Sequence, residues 1–409
     1  MIKWIRKLLM YILLIVVVLQ CHSLLVHTLP NRYFLYAILA LLLLALLLDN
    51  KYKIKNNILF LIGCYFAVMM ILTLIGEFHN IEFLFSIVVA FILFLIYLSN
   101  RNNLAEIMEA YTNIMAIIAT ISLFFFVFAS CLHIIQPTTY YPYAEVGWGI
   151  QNYYDFYHLY CEGQVIDAFG YSGVRNMALF VEAPMLAYPL AFALYYEMFM
   201  RNKGYRKCIL AIIVTAMITS FSTTGFLVLA VLFYLKFYKE ISKNKVIKFI
   251  VMPALISIVI YSIIYIVQDK LVNGVVSTSI RSDDVIASMK CFLHNMITGV
   301  GYENMKGIDP YRAEWRTNAG LSTGIGGILA YGGILWGMWY AIPYVIAIGS
   351  YIVNPKSRSN MGFVILSGAL LFVTVVQSRV LCTMINAICW LLILNFNINI
   401  PIKVKKILD

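Results

Sequence analysis

The stretch CILAIIVTAMITSFSTTGFLVLAVLFYLKF (208–237) decides how the chain would be threaded through a membrane. Its 30 residues are enough for one tilted transmembrane helix or for two short ones. The polar run TSFSTTG (219–225) interrupts its middle, and its end opens a series of lysines: Lys236, Lys239, Lys243, Lys245 and Lys248. Because basic residues beside transmembrane helices favour the cytoplasm, we predict two helices that turn at SFSTT and return these lysines to the inside.

The composition indicates a membrane protein along the whole chain. Of the 409 residues, 62% are hydrophobic and 12% are charged, whereas soluble domains have about 45–50% and about 25%. The net charge of +11 is assigned to cytoplasmic loops, and no nucleic-acid partner is expected. We predict an all-α polytopic membrane protein, one integral domain over 1–409. Its roughly twelve transmembrane helices are the two in 208–237 and those near 8–29, 33–48, 58–76, 81–98, 112–135, 176–200, 246–268, 321–352, 361–377 and 381–397.

The distribution of charge then distinguishes the two predicted faces of the membrane. In this prediction both termini are cytoplasmic. Of the 30 basic residues, 21 fall in predicted cytoplasmic segments, and so do only 6 of the 19 acidic residues. The inner face therefore has a net charge of +15 and the outer face −4. The two long connections, 136–175 and 269–320, both lie on the predicted outer face. Loops longer than about 12–15 residues are usually functional when they are ordered.

Cysteine labelling tests this topology. In a background without the eight native cysteines, Pro310→Cys should react with a membrane-impermeant maleimide in intact cells, and Lys243→Cys should react only after lysis. Basic flanking residues are retained inside, which is the physical reason for the difference. Labelling of position 243 in intact cells would show that 208–237 crosses once and would reverse the assigned sides of the segments around it.

Ionisable residues at the predicted mouth of a helix are the first candidates for function. In GVRNMALFVEAP (173–184), a helix over 175–182 would place Arg175 and Glu182 on one face, and Pro184 favours a helix start beside it. Ionisable groups at membrane depth are functional candidates. The alternative is an interfacial ion pair, with the arginine reaching toward lipid headgroups.

The second outer loop contains SIRSDDVIASMKCFLHNMITGVGYEN (279–304). Ser282 is suited to cap an amphipathic helix with Asp283 and Asp284 in its first turn, just after Arg281. This helix would lie on the outer leaflet or over the core. The TGVG turn would offer backbone amides to a ligand, and His294 is either a base or a residue of the polar face.

Three further places carry polar groups. Asn318 opens a glycine-rich helix in NAGLSTGIGGILAYGGILWG (318–337), whose glycines also suit close helix packing. The aromatic loop 138–160 fits either sugar rings or an interfacial aromatic belt. Arg379 is the only charge in the turn between the last two predicted helices, so we expect an anionic partner for it.

Several kinds of chemistry leave no signature in the sequence. There is no P-loop, no HExxH and no aspartate cluster for a metal-held pyrophosphate, so we expect no metal and no other cofactor. Three arginines on the predicted outer face could instead bind an anion, since guanidinium matches phosphate in a bidentate way: Arg175, Arg281 and Arg379.

In order, spacing and side, these segments resemble the Wzy-type oligosaccharide repeat unit polymerases of the O-antigen ligase/polymerase superfamily. The resemblance covers about 173–340 and includes GVRNMALFVEAP, TSFSTTGFLVLAV, the 279–304 segment and the glycine-rich helix. It departs at Met296, where the family usually has proline, and in SFSTTG, which lacks an arginine found in many ligases. Thr317-Asn318 replaces the ligases' His-Asn, which favours a polymerase.

The resemblance implies a GT-C-like, metal-independent glycosyltransferase of the bacterial cytoplasmic (inner) membrane. It would transfer a glycan from undecaprenyl pyrophosphate to the next lipid-linked repeat unit, building capsule, O-antigen or exopolysaccharide. Arg175 and Arg281 would stabilise the departing pyrophosphate, and Glu182 would take the acceptor's proton. Further substrate contacts are expected from Arg379, Asn318, His294, Tyr302 and Glu303.

The expected partners are the bilayer, a flippase and a chain-length regulator. Two alternatives remain open at this point. One is an O-antigen-ligase-like glycan transferase, and the other is a polysaccharide or lipid-sugar flippase, which is a transporter. A flippase would be expected to show repeated halves and a charged central cavity, whereas the polar residues here fall in two unequal outer loops.

Overall fold

The computed structural model describes residues 2–48, 54–76, 81–100, 104–146, 151–168, 171–243, 275–316 and 320–397. It is mostly helical (74%). Three of the described helices are long and apolar enough to cross a membrane: Asn56–Ile75, Leu104–Cys131 and Gly324–Val353.

Most of the helices pack into one bundle around a continuous apolar core. In chain order the longer helices of the described residues are Ile2–Gln20, Asn31–Leu47, Asn56–Ile75, Ala90–Asn100, Leu104–Phe125, Ala183–Tyr195, Lys207–Thr219, Thr223–Lys243, Val275–His294, Gly324–Val353, Arg358–Val373 and Val380–Asn397. Shorter helices and π-helical turns adjoin them at Leu24–Thr28, Ile81–Phe83, Leu84–Val89, Phe126–Cys131, Tyr143–Val146, Tyr196–Met200 and Met305–Ile308.

The helix Ala183–Tyr195, here called the central helix, is apolar on every side, and nearly all of its side chains are buried. Such a helix belongs inside a bundle. It begins beside Pro184, where that proline favours a helix start, and not at residue 176 as the predicted bounds had it; Glu182 is the preceding residue. Beyond its other end, buried Glu197 is paired with Arg206 at 2.8 Å. The charged groups therefore lie at the two ends of this element and its apolar length lies between them.

The predicted break in 208–237 is confirmed, since Lys207–Thr219 and Thr223–Lys243 are separate helices. Ser222 begins the second helix, because its Oγ and its carbonyl accept from the amides of Gly225 and Phe226. The first predicted helix, 8–29, is shorter than expected: it ends at Gln20 and the chain turns at His22 (φ 58°). The predicted helix 246–268 lies outside the described residues.

The long connection 136–175 contains β-structure, which corrects the all-α expectation. Three short antiparallel strands form one sheet, and two more form a hairpin: Thr139–Tyr141, Tyr153–Phe156 and Tyr160–Glu162, then Val165–Ala168 and Tyr171–Val174. Tyr153 and Tyr160 are buried, whereas Tyr140 and Tyr154 of the same sheet remain exposed. The loop is therefore a small folded layer, and only part of its aromatic surface is open to a ligand or to lipid.

The helix Val275–His294 is here called the loop helix. Its start differs from the prediction that Ser282 caps the helix. It starts upstream of that residue, so Asp283 and Asp284 lie in its interior rather than in its first turn. Both carboxylates are buried and pair with Arg316, at 3.4 and 2.8 Å. The apolar side chains of this helix are the exposed ones instead: Val285, Ile286, Met289 and Leu293.

The helix Gly324–Val353, here called the broken helix, is interrupted at Gly333 (φ 57°, ψ −152°). The break leaves backbone N–H and C=O groups near Gly333 without partners in the helix. The turn after the loop helix forms hydrogen bonds with these groups. Four hydrogen bonds result: Val300 N to Ala330 O (3.0 Å), Gly301 N to Tyr331 O (3.0 Å), Ile334 N to Met296 O (2.7 Å) and Leu335 N to Ile297 O (3.4 Å). The TGVG amides at 300 and 301 are thus bonded to the protein, which corrects the expectation that they face a ligand.

These hydrogen bonds predict that two glycines of the broken helix differ strongly in the effect of substitution by alanine on stability. Gly333→Ala should lower the thermal stability of the purified protein, because its backbone conformation is nearly restricted to glycine and an added Cβ would lie 2.5 Å from Ile297 O. The conformational term alone is about 1–3 kcal/mol. Gly349→Ala is the matched control, since nothing lies within 4 Å of its Cβ position. Equal melting temperatures for the two variants would contradict the close packing of Met296 and Ile297 against Gly333.

Candidate functional site

The segment 175–182 is not helical, so Arg175 and Glu182 do not share a helix face as predicted. It follows the strand Tyr171–Val174 and turns at Ala178 (φ 52°). Backbone hydrogen bonds hold it against the turn after the first helix, from Leu24 N to Leu179 O (2.8 Å) and from Val181 N to His22 O (3.0 Å). Tertiary pairing, not helix propensity, therefore sets the positions of both ionisable groups.

Arg175 nevertheless lies within electrostatic reach of Glu182 and of Arg281 on the loop helix. We call these three residues the Arg175 cluster. The Arg175 guanidinium also donates to Ser220 O at 3.3 Å and to Phe221 O, where the helix Lys207–Thr219 ends. A cation at this position interacts favourably with the C-terminal end of the helix. Arg175 thus has a structural contact in addition to its place in the cluster.

The electrostatics of the Arg175 cluster favour an anion. Burial lowers the pKa of Arg175 to about 10, a shift that Glu182 opposes and Arg281 increases. The formal charge of the three residues is +1, so a cationic excess remains after Glu182 is counted. Arg281 is exposed, which leaves its planar guanidinium able to form a bidentate contact with a phosphate group.

A second group of polar residues lies near Arg379, within electrostatic reach of it or of Glu303. We call it the Arg379 cluster: His22, His27, Glu82, Tyr302, Glu303 and Arg379. The guanidinium lies against His22, with Nε 3.2 Å from Nε2 and Nη2 3.4 Å from Nδ1. His22 Nε2 also lies 2.8 Å from Val375 O, so both ring nitrogens have polar neighbours within hydrogen-bonding distance. Arg379 is thus oriented by an imidazole ring rather than by a carboxylate.

That imidazole is buried and neutral. Burial and the charge of Arg379 lower the pKa of His22 well below its usual 6.5. His27 stacks on it, with ring centroids 5.5 Å apart and 3.3 Å between Nε2 of His27 and Nδ1 of His22. The two histidines therefore add no positive charge to the Arg379 cluster at neutral pH.

Glu303 faces Arg379 from the second outer loop. Ser378 donates a hydrogen bond to its carboxylate. Glu303 is an exposed residue, yet burial of its carboxyl group raises its pKa, a shift that Arg379 and Ser378 oppose and Glu82 adds to. Its backbone has φ 53°, an unusual value for a residue other than glycine. Strained backbone of this kind clusters at functional sites.

Glu82 was missed in the sequence, although its position at the outer end of the predicted helix 81–98 was a usable signal. A chain of hydrogen bonds holds it in place. Val380 N donates to Gln20 Oε1 (2.9 Å), Gln20 Nε2 to Asn31 Oδ1 (3.0 Å), and Asn31 Nδ2 to Glu82 Oε2 (3.3 Å). The chain joins four helices, and it starts at the residue that follows Arg379.

The two clusters are neighbours through the backbone. Val181 precedes Glu182, and its amide is bonded to His22, whose side chain contacts Arg379. Tyr302 lies in the Arg379 cluster, as a buried ring that shares a hydrogen bond with Ser86. His294 instead contacts residues outside both clusters: its Nδ1 faces Lys290 O at 2.9 Å and its ring lies 5.1 Å from that of Tyr311. Asn318 lies outside the described residues.

The chain matches no protein-family model, and no curated protein matches it either.

Proposed function

We propose that the protein is a membrane polymerase of lipid-linked oligosaccharide repeat units. The observation that carries this proposal is the Arg175 cluster, because the segment 175–182 and the loop helix together contribute an excess positive charge at one end of the buried central helix. The family resemblance of the same segments supplies the substrate class, a glycan linked to undecaprenyl pyrophosphate. The outer face of a bacterial inner membrane is where such a substrate would be used.

In the proposed reaction, Arg281 and Arg175 hold the pyrophosphate of the donor. Glu182 accepts the proton of the acceptor hydroxyl while that oxygen forms a bond to the donor's anomeric carbon. The bond from this carbon to the pyrophosphate oxygen breaks, and the pyrophosphate leaves with the electron pair. Fixed positive charge stabilises the negative charge that develops on the leaving group, so the arginines act mainly in the transition state.

The helix terminus itself contributes little to anion binding. Ala183 N donates to Gln164 Oε1 (3.1 Å), Pro184 has no N–H group, and Met185 N donates to Glu182 O (3.0 Å). The first amides of the central helix are therefore occupied or missing. Recognition of the pyrophosphate depends on the arginine side chains, which is why their substitution is informative.

A flippase and an O-antigen-ligase-like transferase are the other candidate functions. Deletion of the gene separates them. A polymerase mutant should accumulate single repeat units on its surface glycan, seen on a gel as loss of the ladder. A flippase mutant should lack lipid-linked units at the outer face altogether. A ligase mutant should keep polymer on its lipid carrier, and that result would overturn the polymerase assignment.

A further inference from the structure

We propose that the Arg379 cluster is a separate subsite that binds the neutral, hydroxyl-bearing sugar at the nonreducing end of the acceptor unit. This inference rests on the proposed function, because it names the acceptor's place in the same reaction. The Arg175 cluster would then hold the donor's pyrophosphate and the Arg379 cluster the acceptor's sugar.

Charge separates the two subsites. The Arg379 cluster has two carboxylates, Glu82 and Glu303, against one guanidinium, and both of its histidines are neutral. Its formal charge is −1, whereas that of the Arg175 cluster is +1. A pyrophosphate would be repelled by the first and attracted by the second. An uncharged sugar meets no such penalty in the Arg379 cluster.

The polar groups also match sugar hydroxyls. A carboxylate offers two acceptor oxygens and a guanidinium offers several donors, so together they satisfy the donor and acceptor sides of neighbouring hydroxyl groups. Hydrogen bonds to charged groups are stronger than neutral ones. Glu303 is an exposed residue, so solvent, and hence a ligand, can approach the cluster at this position.

Each of these groups is positioned before any ligand arrives. Arg379 lies against His22, and Glu82 is held through Asn31. Glu303 follows Gly301 and Tyr302, and the Gly301 amide is bonded to Tyr331 O of the broken helix. Side chains fixed in this way lose little conformational entropy on binding. The cluster is therefore built as a rigid site rather than a flexible surface.

The position of the cluster suits an acceptor. It adjoins the Arg175 cluster through the hydrogen bond between Val181 N and His22 O. A sugar bound near Arg379 can thus present a hydroxyl toward Glu182 and the donor. Two adjacent subsites of opposite charge would also prevent the acceptor's own pyrophosphate from occupying the sugar site.

A crossed binding experiment tests the proposal on the purified full-length protein in nanodiscs. One probe is the lipid-free oligosaccharide, released by mild acid from the repeat units that accumulate in the deletion strain. The other probe is inorganic pyrophosphate. Binding is followed by tryptophan fluorescence for the wild type, Glu303→Gln, Glu82→Gln, Arg281→Ala and a control, Glu314→Gln, which changes an exposed carboxylate of the same loop.

We expect Glu303→Gln and Glu82→Gln to weaken oligosaccharide binding by about tenfold or more, the loss associated with one hydrogen bond to a charged group. Neither variant should weaken pyrophosphate binding, and Arg281→Ala should show the reverse pattern. Oligosaccharide binding should be nearly independent of salt, whereas pyrophosphate binding should fall as salt rises.

Equal oligosaccharide affinity in the wild type, Glu303→Gln and Glu82→Gln would overturn the proposal, as would loss of pyrophosphate binding in Glu303→Gln. Matching melting temperatures for all variants exclude unfolding as the cause of a loss. The proposed function and the sugar subsite can therefore be rejected separately. Unchanged pyrophosphate binding in Arg281→Ala would contradict the proposed function, while the two glutamate variants decide the sugar subsite.

Discussion

Glu182→Gln is expected to abolish the glycan ladder while the protein still folds and binds its lipid-linked substrate. Glutamine keeps the shape of the side chain but removes the basicity needed to take a proton from the acceptor hydroxyl. Loss of a general base typically reduces the rate by roughly 10²–10⁴-fold. Glu182→Asp should retain a trace of activity, because a carboxylate remains but is withdrawn by one methylene. Turnover of purified lipid-linked repeat units measures both variants.

A purely structural role for Glu182 predicts the opposite order of damage. If this carboxylate only stabilises Arg175, glutamine can still accept a hydrogen bond and would be tolerated, whereas the shorter aspartate would not. Glu145→Gln is a suitable control, since it removes an exposed carboxylate of the first outer loop. A Glu182→Gln enzyme with near wild-type turnover would assign the base elsewhere, and Glu303 would then be tested before His294.

Part of this architecture was predictable because local chemistry decides it. A polar run between two apolar runs, followed by lysines, was enough to predict the break at 220–222. Pro184 marks where the central helix begins, since its fixed φ and missing N–H suit a first turn, although the predicted helix 176–200 started earlier. Both signals act within a few residues, and no distant partner overrides them.

Features that depend on distant partners were not predictable. Residues 175–182 read as helical, but Phe180 pairs with Ser23 across the fold in a single β-bridge. Asp283 and Asp284 read as a helix start because acids favour a first turn, yet Arg316 pairs with them inside the loop helix. In each case a contact remote in sequence outweighs a modest local preference.

The candidate site shows the same division. Arg175, Glu182 and Arg281 were found because charged residues are rare in an apolar chain. Their grouping could be expected from their side of the membrane but not from spacing. The contact between Arg379 and His22 joins residues 357 positions apart, so no local pattern contains it. For Arg379 an anionic partner was predicted, whereas the structure places the His22 ring against it and Glu303 within electrostatic reach.

Arg281 offers the clearest test of pyrophosphate binding, because the other arginine of its cluster also supports the fold. Arg175→Ala removes hydrogen bonds to Ser220 O and Phe221 O, so it should lower both activity and melting temperature. Arg281 is exposed, and surface substitutions usually change stability by no more than about 0.5 kcal/mol. Arg281→Ala should therefore leave the melting temperature unchanged while activity falls.

The expected loss for Arg281→Ala is about 10²–10³-fold in turnover, the range for removal of one group that stabilises transition-state charge. Arg281→Lys keeps the charge but loses the planar pair of donors, so it should recover only part of the activity at a bidentate site. Full activity in the lysine variant alone would mean that charge suffices and bidentate geometry does not matter. Full activity in both variants, at normal protein levels, would remove Arg281 from the reaction and leave the anion without its exposed ligand.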